Sequence, residues 1–86
     1  MRKVTQTVEE MRNTVEMLRA RIRHYSELIE DAKQNVLSNP TDKNISKQIM
    51  FIHEYEKHTD ECYAVIRELC SDIEELTGET EKIVVD

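Results

Sequence analysis

Glu54, His58, Asp60, Glu61 and Cys62 form the densest group of ligating and proton-transferring side chains in the chain. Glu54 and His58 are four residues apart, as are His58 and Cys62. On a helix that spacing puts two ligands on one face, as metal sites require. The remainder of such a site is missing, because the sequence has no His-x-x-x-His or Cys-x-x-Cys pair. A carboxylate di-metal bundle would need inward Glu residues and a Glu-x-x-His motif, and Glu61 has Ala64 three residues on. Nucleophilic catalysis would need a Ser or Cys beside a His that a third group orients, and no recognisable spacing supplies one. The group therefore reads as a solvated acidic flank beside one core thiol. No catalytic residue, metal or cofactor is expected, and the chain is not read as an enzyme.

Arg19, Arg21 and Arg23 form a second chemical candidate, since closely spaced arginines on a helix can follow phosphates. The chain opposes this with 18 Asp and Glu against 12 Lys and Arg, a formal charge of −6. The three arginines also fan out around a helix, which suits them to flanking a helix pair. Charge thus argues against nucleic acid as a partner, and the arginines are expected to set helix pairing.

The elements that position these groups follow from apolar spacing. Val4, Val8, Met11, Val15, Leu18, Ile22, Tyr25, Ile29, Ala32 and Val36 recur at alternating steps of four and three. This is a heptad repeat, with Val8, Val15, Ile22, Ile29 and Val36 at a and the others at d. A second run places Ile45, Ile52, Thr59, Ile66 and Ile73 at a, with Gln48, Tyr55, Cys62, Leu69 and Leu76 at d. Gln48 and Thr59 weaken such a seam but can select its register, because misaligned states would bury them unpaired.

Between the runs lies Leu37–Asn44, containing Pro40. Proline disfavours a helical residue before it, so the first helix should end near Ser38. Asn39 is a candidate cap for the second helix, with Asn44 the later alternative. Gly78 should stop that helix in a left-handed conformation. The predicted layout is a hairpin over 1–78, with helices at about 4–37 and 44–77, a loop at about 38–43, and a flexible tail over 79–86.

A chain of 86 residues with one Gly and one Pro holds at most one domain and cannot build a Gly-rich phosphate loop. The fold class expected is all-α. Residues 1–36 carry seven basic and six acidic side chains, and 37–86 carry five and twelve, so charge favours folding back into an antiparallel hairpin. In that arrangement Arg19 comes near Glu56, and Leu28 meets Phe51. Met1-Arg2-Lys3 is not followed by an apolar run, so neither a secretory leader nor a membrane span is expected. Cys62 and Cys70 read as reduced thiols, which points to an intracellular protein, cytoplasmic or nuclear.

One hairpin does not cover all this apolar surface. The second helix carries Ile49, Tyr63 and Cys70 at e, and Phe51 and Val65 at g, beyond its seam residues. Small cores are marginal unless association enlarges them. The expectation is a homodimer of hairpins forming a four-helix coiled-coil bundle, or capture of a helical protein partner. The expected interaction residues are Ile49, Phe51, Ile52, Tyr63, Val65, Ile66, Leu69, Cys70 and Ile73. The function that follows is a non-enzymatic assembly module. The alternative is a small helical regulator that binds nucleic acid or inhibits an enzyme through its charged surface.

Overall fold

The computed structural model describes residues 7–79. Two helices, α1 (Val8–Ser38) and α2 (Asp42–Thr77), pack against each other as a hairpin, and no strand occurs among the described residues. The molecule measures 52 × 23 × 16 Å, the proportions of two helices side by side.

Helix α1 starts at a Thr7 cap. The Thr7 hydroxyl oxygen accepts the Glu10 backbone N–H at 3.2 Å, and the hydroxyl is within 3.2 Å of the Glu10 carboxylate. Glu9 and Glu10 then lie in the first turn, where the helix dipole favours negative charge. The start at Val8 is later than the apolar pattern suggests, because Thr7 is extended; Val4 is outside the described residues.

The turn departs from both expected caps. Asn39 ends α1, its N–H bonding the Asn35 carbonyl at 3.0 Å, and Thr41 caps α2 by accepting the Asn44 N–H at 3.3 Å. Asn39 already closes one helix, which leaves it unable to open the next. Asn44 is instead the clasp of the hairpin. Its amide nitrogen donates to the Asn39 carbonyl at 2.8 Å and to the Asn35 side-chain oxygen at 3.0 Å. Its oxygen accepts from the buried Gln48 amide at 3.2 Å. Gln48 thus sits at d with a partner, and Thr59 satisfies its hydroxyl on the Tyr55 carbonyl at 2.9 Å. Gly78 ends α2 at φ 75°, with its N–H on the Glu74 carbonyl, as a left-handed stop requires.

Away from the loop the buried side chains fall at a and d positions, with Cys70 added from e. Met11, Val15, Leu18 and Ile22 of α1 bury against Cys62, Ile66, Leu69, Cys70 and Ile73 of α2, with Val8, Tyr25 and Tyr63 packed on the margin. Of the predicted tail, Glu79 is described and pairs with Arg12 at 3.2 Å, tying the end of α2 to the start of α1. The rest of the tail lies outside the described residues.

Candidate interaction surface

The hairpin sorts the expected interaction residues into two groups. Ile66, Leu69, Cys70 and Ile73 are buried between α1 and α2, so they hold the hairpin itself together. Ile49 and Phe51 remain 44% and 41% exposed, Val65 is exposed, and Ile52 and Tyr63 are half-buried. Cys70 is buried although it stands at e, and Leu76 is exposed although it stands at d.

Burial changes along the hairpin. Toward the free ends every seam layer from Met11 to Ile22 is closed. Toward the loop, the a residues Ile29, Val36, Ile45 and Ile52 are only half-buried. Ala32 and Gln48 are the buried residues in this half, one small and one polar, so the seam is thin there. Sequence reasoning missed Ile29, Val36 and Ile45 as surface residues because the heptad pattern is equally regular in both halves. The detectable signal was the small and polar d residues among them.

On the g flank an aromatic ladder crosses the seam. Phe51 and Tyr55 have ring centroids 6.4 Å apart, Tyr25 stands 6.1 Å from Tyr55, and Tyr25 stacks on His58 at 5.5 Å. Lys47 lies 5.9 Å from the Phe51 ring centroid, within the reach of a cation–π contact. Open grooves lie to either side of this ladder. The larger, about 280 Å³, is lined by Leu28, Asp31, Ala32, Asn35, Gln48, Phe51 and Tyr55. Leu28 and Phe51 therefore share one groove wall, as the antiparallel arrangement demands.

The candidate ligands are only partly brought together. His58 is engaged by Glu54 at 3.1 Å and lies 3.9 Å from Glu61, while Cys62 turns into the core. Among the described residues no three His, Cys, Asp or Glu side chains gather as a metal site. The local role of His58 is to join an acidic pair to the aromatic ladder.

The arginine run is also divided. Arg21 lines a groove with His58, Glu61 and Val65, so one arginine does face the acidic stretch of α2. Arg19 does not reach Glu56; it pairs with Glu16 on its own helix. Leu18 shares its groove with Cys62 and Val65, which puts Arg19 level with that turn, well beyond Glu56. The Arg19 side chain is only 13% exposed, and its Nε and Nη2 are buried without a hydrogen-bond partner. Buried donors left unsatisfied are costly. Arg19→Leu is therefore expected to raise stability by about 1 kcal/mol, the lost Glu16 pair being worth less. A urea midpoint lower than wild type would show that the guanidinium has a stabilising role the geometry does not reveal.

No described helix is long and apolar enough to cross a membrane. Comparison with protein-family models, with curated proteins and with solved structures gives no match for this chain. The surface itself carries the functional argument.

Proposed function

We propose that the protein is a non-enzymatic assembly module whose hairpins associate into a four-helix bundle of coiled-coil type. The observation that carries this reading is the row of half-buried a residues Ile29, Val36, Ile45 and Ile52, joined by exposed Ile49. In a closed heptad seam such residues lie inside, and burying an aliphatic side chain is worth about 1.5–3 kcal/mol. Leu37, at 72% exposure, extends the apolar surface toward the loop. A two-helix core of this size is marginal alone, and a second layer of helices enlarges it. Capture of a helix from another protein would use the same surface.

Light scattering across a concentration series tests the reading. The wild-type chain should pass from monomer to dimer, with its helical signal rising as it does. Ile49→Glu removes an exposed contact twice over in a symmetric dimer and should weaken association by about a hundredfold. Helicity at high concentration should survive, since Ile49 lies outside the buried core. A stable, helical monomer at every concentration would refute self-association and leave capture of another helix, or the charged surface, as the working feature.

A further inference from the structure

The two flanks of the hairpin differ in charge. We propose that the g flank, across the hairpin from Ile49, docks a basic amphipathic helix of another protein. This surface is separate from the row of residues assigned to self-association and does not depend on it.

The grooves supply the shape. Both open on the g flank, one walled by Leu28 and Tyr55, the other by Leu18 and Val65. On each helix these walls are ten residues apart, about 15 Å along the bundle. A helix laid along the flank presents a side chain at that interval after about three turns. Two apolar side chains of one partner helix can therefore enter both grooves. Phe51, Val65 and Met17 stay exposed on the same flank and would be covered by it.

Charge chooses the occupant. Successive helical residues turn by about 100°, so c positions border g on the side away from the seam. Glu54, Glu61, Glu68 and Glu75 fill four consecutive c positions of α2. Asp72 at g, with Glu10 and Asp31 at c of α1, completes seven acidic side chains. Arg21 and Lys47 are the cations at g and c of the two helices, so the flank has a formal charge of −5. His58, which joins Glu54 to Glu61, is counted as neutral. The e and b positions of the opposite flank set Arg12, Arg19, Arg23, Lys33 and Arg67 against seven acidic side chains, a formal charge of −2. A second copy is a poor occupant of the g flank, because two faces of like charge oppose association. Phosphate-bearing surfaces are repelled for the same reason. A helix with apolar side chains at the groove interval, and Lys or Arg beside them, matches both the shape and the charge. Its cations can also rest on exposed Phe51, as Lys47 does 5.9 Å from the ring centroid.

The test is fluorescence anisotropy of synthetic probes titrated with the full chain. The first probe is an amphipathic Leu–Lys peptide of about 18 residues, long enough to span both grooves. A Leu–Glu peptide of the same pattern and a lysine-only peptide of the same length are the comparison probes. The Leu–Lys peptide should bind at least tenfold more tightly than either, and less tightly as salt is added. Asp31→Lys with Glu75→Lys reverses two exposed charges on the g flank and should weaken that binding about tenfold. Glu30→Lys with Glu74→Lys makes the same change in net charge at exposed b positions and should leave the affinity within about twofold. Equal losses in the two double variants would mean attraction to the net charge alone, and would overturn the proposal. So would a Leu–Lys peptide that does not bind, or a comparison probe that binds as tightly. Self-association is read separately by light scattering and stands or fails on that result.

Discussion

Ile66→Asp is expected to abolish most of the helical signal of the protein, at any concentration. Ile66 is 0% exposed and stands among Leu18, Cys62, Leu69 and Cys70 in the closed half of the seam. The substitution removes a packed aliphatic side chain and puts a carboxyl group where no partner has been provided. Such a group must take up a proton or force the seam open to water. Loss of packing and burial of an unpaired charge together cost about 4–5 kcal/mol. That is close to the whole stability of a small single-layer core. The expected far-UV spectrum is that of a largely unfolded chain. A cooperative melt with wild-type ellipticity would show that Ile66 does not carry the hairpin. Ile49→Glu provides the contrast, because one variant destroys the buried core of the hairpin and the other spares that core while weakening association.

That contrast marks what heptad reasoning can and cannot resolve. The a and d spacing located the buried face of each helix, from Met11 to Ile22 and from Cys62 to Ile73, because a period of three and four reports directly on which side of a helix is apolar. Pro40 and Gly78 marked helix ends through backbone restrictions that act locally. Period alone does not say which partner covers a face. Ile66 and Ile49 are both aliphatic and both at positions suited to an interface, yet the first is used within the hairpin and the second is left on its surface. Separating them takes the register, which depends on contacts between residues distant in sequence. Arg19 was misplaced for the same reason. Its expected neighbour Glu56 followed from setting e against e in an antiparallel pair, whereas the register places Arg19 level with the Cys62 turn of α2.

The Asn44 side chain ties the two helices together at the loop, and Asn44→Leu is expected to loosen their register there. Asn44 ties three elements of the turn: it donates to Asn39 and Asn35 and accepts from Gln48. Leucine keeps the side-chain volume close to native but removes every one of these bonds. Gln48 is buried, so its amide would lose its partner within the seam. Net loss of the bonds and the unsatisfied Gln48 amide together should cost about 2–3 kcal/mol. The Thr41 cap would survive, because it uses the Asn44 backbone N–H and not the side chain. Helix α2 should therefore still begin at Asp42 while the pairing of α1 with α2 near the loop becomes less defined. Hydrogen exchange distinguishes this from general destabilisation. Amides of Asn35–Val36 and Gln48–Ile52 should lose protection by a larger factor than those around Ile22 and Ile66. An equal loss at both ends would mean that the closed aliphatic half, and not the Asn44 clasp, sets the register.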